Sequence, residues 1–213
     1  MTLEHTISQL RAQASQRIVT FAQTLDSVRT DRMLSDDGKR DRIAREYVAT
    51  RIHIDKLRTR EADALLSRRV ELERLLFGWE PTDDAAVLSA RRESNELADA
   101  LDDPRDALLA YQRAKRRSDE MHVHAIFARA LELGWSSIID DYLVEHPERA
   151  AGSTELAAIL RANDDVELLT AVMHYAMSQP SELSHVDLAP YEHEARAGAA
   201  DVEAAFARQL SAV

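Results

Sequence analysis

The chain has 213 residues, of which 45% are hydrophobic, 31% charged and only 5% aromatic, with a net charge of −11. That length leaves room for a real core, and a makeup rich in Ala, Leu, Glu and Arg favours helix over sheet. The lack of cysteine excludes a disulfide, a thiolate nucleophile and a Cys-ligated metal.

The charge is uneven. Residues 1–79 carry 15 basic and 12 acidic side chains, a net of +3; residues 80–134 carry −4 and residues 135–213 carry −10. An acidic stretch of this kind repels a phosphate backbone and suits either a solvated surface or a basic partner. Residues 1–25 are charged throughout, so no secretory segment is expected. No window approaches eighteen uninterrupted apolar residues, so no membrane span is expected either.

Gly78, Gly134 and Gly152 fall at or near the ends of periodic segments and the five prolines fall between them, which marks the breaks. The first helix is expected from about Leu3 to Met33. Its apolar stripe is Leu3, Ile7, Leu10, Ala14, Ile18, Phe21, Leu25 and Val28. The steps of three and four make a heptad-like seam that needs a covering helix. In "LSDDGKRDR", Ser35 is the cap of a second helix, with Asp36 and Asp37 where the helix dipole favours anions. That helix runs to Phe77, with a stripe of Ile43, Tyr47, Ile54, Leu57, Leu65, Leu72 and Leu75. Thr50, Glu61 and Arg68 interrupt it, and a polar residue on a seam sets register or marks a solvent gap. The short connection implies an antiparallel hairpin over residues 1–79.

Gly78 ends that unit. A third helix, capped by Thr82 with Asp83 and Asp84 in its first turn, is expected to about Leu101. Asp103 and Pro104 start a fourth, read as continuous to Leu133 along Leu108, Tyr111, Ala114, Met121, Ala125, Ala128 and Leu131. These two helices form a connecting unit, residues 80–134. Gly134 closes the fourth, and Trp135 folds back on its last turn as a pin between the long helices and a compact acidic module, residues 135–213. In that module a short helix carries Ile138, Ile139, Tyr142, Leu143 and Val144. Ser153 caps "TELAAILRA", a further helix starts near Asp165, and the segment from Tyr191 closes with Ala204, Ala205, Phe206 and Leu210. The fold class is therefore all-α: a long, coiled-coil-like hairpin followed by a compact multi-helix module.

Catalytic signals are sparse. The phosphate-loop, dinucleotide and nucleophile-elbow patterns are absent. His122 and His124 lie two apart, about 200° around a helix, and do not share an ion from one face. His174 and Tyr175 sit on an apolar segment where a packed histidine is the ordinary reading. The "EHE" at Glu192–Glu194 has ligand-type residues but no partner motif. The pairs Asp36-Asp37, Asp83-Asp84, Asp102-Asp103 and Asp164-Asp165 precede helices and are explained by capping. The basic runs Gly38–Arg45 and Arg113–Arg117 are interleaved with or followed by acids, lack aromatics, and read as ion-paired helix faces before phosphate contacts.

Asp106–Glu148, "DALLAYQRAKRRSDEMHVHAIFARALELGWSSIIDDYLVEHPE", and Glu155–Leu183, "ELAAILRANDDVELLTAVMHYAMSQPSEL", carry a resemblance. Through Ala107–Tyr111, Arg129–Trp135, Tyr142–Pro147 and Pro180–Leu183 they resemble small helical proteins from the virion structure and assembly genes of actinobacterial phages and prophages. The resemblance covers about half the chain. It implies a non-enzymatic structural or assembly protein, located in the virion or host cytoplasm, with no cofactor, catalytic residue or metal. Its partners would be further copies of itself or a capsid, connector or tail component. The expected interaction residues are the hairpin seam (Ile7, Leu10, Phe21, Leu25, Val28, Ile43, Tyr47, Ile54 and Leu57), with Trp135 and Tyr142 packing the modules together. The alternative is a nucleic-acid-associated or regulatory helical protein using the basic runs.

Overall fold

A computed structural model describes residues 2–79, 84–161 and 173–197, and their regular structure is entirely helical. The helices are α1 (Leu3–Thr30), α2 (Asp36–Phe77), α3 (Ala85–Asp99), α4 (Pro104–Arg116), α5 (Glu120–Leu133), α6 (Ser136–Glu145), α7 (Ala150–Arg161) and α8 (189–197). Single 3-10 turns stand at Pro147–Arg149 and Ser181–Leu183. None of the described helices is long and apolar enough to cross a membrane.

The caps follow local chemistry. Thr2 accepts from the His5 N–H, Ser35 from Gly38, Asp84 from Ala86 and Val87, and Asp103 from Arg105 and Asp106. Each side chain satisfies a backbone donor that the helix start leaves open. Pro104 takes the first position of α4, where its missing N–H costs nothing. Gly78 and Gly134 have φ of 68° and 73°, the left-handed geometry that ends a helix. Thr82 and Asp83, the helix start near Asp165, and Ala204 to Leu210 lie outside the described residues.

Two expectations about helices are corrected. The stretch from Pro104 to Leu133 is two helices. The chain turns at Ser118, whose φ is 55°, and Asp119 then caps α5 by accepting from the His122 N–H. Ser153 is no cap: α7 begins at Ala150, and Ser153 is buried within it. In the same helix Gly152 is not a terminator. A Cβ there would come within 3.2 Å of Leu76 Cδ2, so the glycine lets α7 pack closely on the end of α2.

The contacts divide the chain into two compact units. One contains the residues up to Ala64 and the described residues from Met173 onward; the other runs from Leu65 to Arg161. The helix α2 passes unbroken from one into the other. This division differs from boundaries at 79/80 and 134/135, because the distant segment after Met173 packs on α1 and the first part of α2.

In the first unit Leu10 and Ala14 of α1 cluster with Ile54 and Leu57 of α2 and with Tyr175. Phe21 and Val28 cluster with Ile43, Ala44, Tyr47, Val48 and Leu183. The Phe21 and Tyr47 rings are tilted, with centroids 6.0 Å apart. In the second unit α5 is central, packed by α3, α4, α6 and α7. It buries Ala125, Ile126, Phe127, Ala130 and Leu131. Side chains on most of its circumference are apolar, as a helix enclosed by neighbours requires.

Candidate interaction site

The seam residues are largely brought together, within the chain itself. Leu10, Phe21, Val28, Ile43, Tyr47, Ile54 and Leu57 are all buried, and Leu25 packs part-buried against the Phe21 cluster. Ile7 is half-buried. Burying such a side chain contributes roughly 1.5–3 kcal/mol, so this face serves the fold before any partner. Toward the end of α2 the buried face runs through Leu72 and Leu76, whereas Leu75 is exposed. The Leu65, Leu72, Leu75 stripe is thus one residue off at its last position.

The polar residues interrupting that stripe are the more informative ones. Glu61 is only 3% exposed. Arg11 donates to it from Nη2 at 2.7 Å and from Nε at 3.2 Å, and the Tyr175 hydroxyl donates to its other oxygen. Burial and the neighbouring carboxylate together push the Tyr175 phenol up, so it remains a donor. Arg68 forms a two-point pair with Glu155, at 2.8 and 2.7 Å, and a third contact with Glu71. Two of the three interruptions, Glu61 and Arg68, therefore mark where a distant segment attaches: residue 175 in the first unit and α7 in the second. Thr50 is buried as well.

A second set of attachments was not foreseen from the sequence. Glu182 takes a fork from Arg29, with Nε at 2.6 Å and Nη2 at 3.1 Å. That guanidinium holds the Glu182 carboxyl at about 2. Arg51 donates to Glu192, Arg45 to both Glu194 and Asp41, and Tyr191 to Asp41. The Glu192 and Glu194 of "EHE" are thus ion-pair partners of α2. The +3 and −10 imbalance between the two parts of the chain was the available signal, but it carried no pairing.

Trp135 and Tyr142 both lie inside the second unit rather than joining two modules. The Trp135 N–H donates to Ala130 O at 2.9 Å, closing α5, and its side chain is almost fully buried. Tyr142 stacks on Phe127 with centroids 3.9 Å apart. His124 belongs to the same ring cluster, 5.2 Å from Phe77 and 6.1 Å from Tyr142. Burial, then Arg149 and His146, lower its pKa to about 4. It is a neutral packed ring. His174, by contrast, is exposed.

The basic runs are partly neutralised. Arg40 pairs with Asp37, Lys39 donates to Arg29 O, and Lys115 pairs with Asp141 at 2.7 Å and Glu145 at 2.8 Å. Among the described residues no group of three or more His, Asp or Glu is placed to hold a metal ion. Arg69, Val70, Glu73, Trp79, Arg91 and Asn95 line an open depression of about 200 Å³, with the Arg91 guanidinium 5.3 Å from the Trp79 ring centroid. That is smaller than the roughly 300–1,000 Å³ of ordinary ligand pockets.

Comparison with family models, with curated proteins and with solved structures finds no match to this chain.

Proposed function

We propose that this is a non-enzymatic structural or assembly protein of a phage virion, acting by helix-mediated self-association and by docking on a capsid, connector or tail component. The observation that supports it best is the use made of buried ionisable groups. Glu61, the one buried carboxylate among the described residues, is tied to Arg11 and Tyr175 from two other segments, and His124 is packed among rings. Both are placed where they hold segments together. The grouping of Phe21 and Val28 with Ile43 and Tyr47, and of Leu10 and Ala14 with Ile54 and Leu57, supports a coiled-coil-like hairpin of α1 on α2. Exposed apolar side chains, Met33, Leu66, Val144 and Met173, supply material for docking. The resemblance of Asp106–Glu148 to phage assembly proteins supplies the biological setting.

The test has two parts: the mass of the purified chain in solution, and mass spectrometry of particles produced by the element that encodes it. A mass above 24.0 kDa together with the chain in particles or assembly intermediates is the expected result. A monomer found in neither would overturn the reading.

A further inference from the structure

We propose that the flank of α1 and α2 carrying Arg17, Arg42, His53 and Arg60 binds the phosphate backbone of double-stranded nucleic acid, without regard to base sequence. The surface lies wholly within the first unit. It joins one residue of the run Gly38–Arg45 to cations outside both basic runs, and it does not depend on the assembly reading above.

The two flanks of α1 and α2 are treated oppositely. On α1, Arg11 and Arg29 lie in line on one side of the buried stripe of Leu10, Ala14 and Phe21, and Arg17 lies about 120° around from both, on the other side. On the first side every arginine has a carboxylate: Arg11 has Glu61, Arg29 has Glu182, Arg45 has Glu194 and Arg51 has Glu192. On the other side, positions 42, 53, 56 and 60 of α2 fall within about 60° of one another around the helix. Arg42, His53 and Arg60 are exposed there. Ala14 and Ile54 share a core cluster, and Arg17 and His53 flank it from the two helices. Partial burial, then Arg17, Arg60 and Lys56, lower the pKa of His53, so these cations feel one another. Among the described residues Arg17, Arg42 and Arg60 form no ion pair, although Glu46 and Asp63 stand about one turn from Arg42 and Arg60.

Holding like charges together costs energy that a polyanion relieves, with release of its counterions as a further gain. The chemistry of the flank decides which polyanion. It carries no exposed aromatic ring on which an unpaired base could stack. It also lacks an apolar anchor for a peptide: Val19, the exposed large apolar residue of α1, is about 200° around from Arg17. A single carboxylate on an exposed arginine contributes little, whereas a ladder of phosphates engages several cations at once. Gln13, exposed and one turn from Arg17, adds an amide of the kind that contacts phosphate and sugar. From Arg42 to Arg60 the stripe is about 27 Å long, the length of about eight base pairs of duplex. Such contacts position a duplex and read no bases. The net charge of −11 opposes any polyanion at a distance, so binding is confined to this stripe, modest and sensitive to salt.

Fluorescence anisotropy of the full chain with two short DNA duplexes of unrelated sequence tests this. Both duplexes are expected to bind alike. Three neutralised phosphates predict a loss of roughly forty-fold in affinity between about 50 and 200 mM salt. Arg42→Gln with Arg60→Gln should weaken binding at the lower salt and cut that loss to roughly four-fold, while the melting temperature holds or rises as repulsion is relieved. Arg42→Lys with Arg60→Lys keeps the charge and should keep most of the binding. Arg113→Gln with Arg117→Gln, in the other basic run, should leave it unchanged. No binding at the lower salt, or binding that persists in the Arg42→Gln, Arg60→Gln chain, would overturn the proposal. So would poly-glutamate binding as tightly as the duplexes and lost through the same two substitutions, which would make the flank a seat for acidic polypeptide.

Discussion

Acidification should strike the second unit through one side chain. His124 is packed against Phe77 and Tyr142, with its pKa lowered from 6.5 to about 4 by burial, then Arg149 and His146. The unfolded chain therefore takes up a proton at higher pH than the folded one. Stability present above pH 6.5 is lost as the pH falls toward 4. At 1.36 kcal/mol per pKa unit, the loss between pH 7 and pH 5 comes to about 2 kcal/mol. Carboxylates also titrate in acid, so the measurement needs a reference chain that lacks only this proton. His124→Phe keeps a ring in the cluster and removes the titration. Urea unfolding of both chains at pH 7 and pH 5 should show the parent losing about 2 kcal/mol more than the variant. Equal losses, or an NMR titration of His124 with a midpoint near 6.5, would refute the reasoning.

Three further outcomes follow from the packing. Arg11→Met should cost about 2–3 kcal/mol in urea unfolding, because it strands a buried carboxylate, while the double variant Arg11→Met with Glu61→Leu should cost less than the sum of the single changes; additive losses would show that the pair is not coupled. Leu76→Ser should destabilise by roughly 3 kcal/mol and Leu75→Ser by less than about 0.5, and the reverse order would mean that the end of α2 has the other face inward. Ser118→Gly should raise stability by up to about 1 kcal/mol by relieving a left-handed residue, seen as a higher melting temperature; a lower one would place the turn elsewhere.

The helix starts at Asp36 and Pro104 and the stops at Gly78 and Gly134 were legible because each is a local event. A cap or a left-handed glycine depends on residues within one turn. The break at Ser118 was hidden for a related reason. The apolar pattern through Tyr111, Ala114, Met121 and Ala125 keeps a nearly helical rhythm across it, and only Asp119, an ordinary capping residue, marks the new start. The seam on α1 was readable because a step of three or four residues keeps one face inward over its whole length. On α2 the cue failed where it mattered. Glu61 and Arg68 occupy the inner face as partners of Tyr175 and Glu155, so counting only apolar residues led from Leu72 to Leu75 instead of Leu76. The segment after Met173 was the least legible part. Its anchoring by Leu183, Glu182 and Glu192 joins residues more than a hundred positions apart, and no periodicity within either segment encodes that meeting.

The first unit also has a history during synthesis. When α1 and the first part of α2 emerge from the ribosome, the residues that complete their core have not been translated. About 110 residues must follow, which at ordinary rates of synthesis means a wait of roughly 5–20 s. Throughout that interval Phe21, Val28 and Tyr47 lack the cover that Leu183 later gives them. A nascent chain in this state exposes apolar surface, and translation that halts before codon 173 would leave a product with a sticky, unfinished first unit.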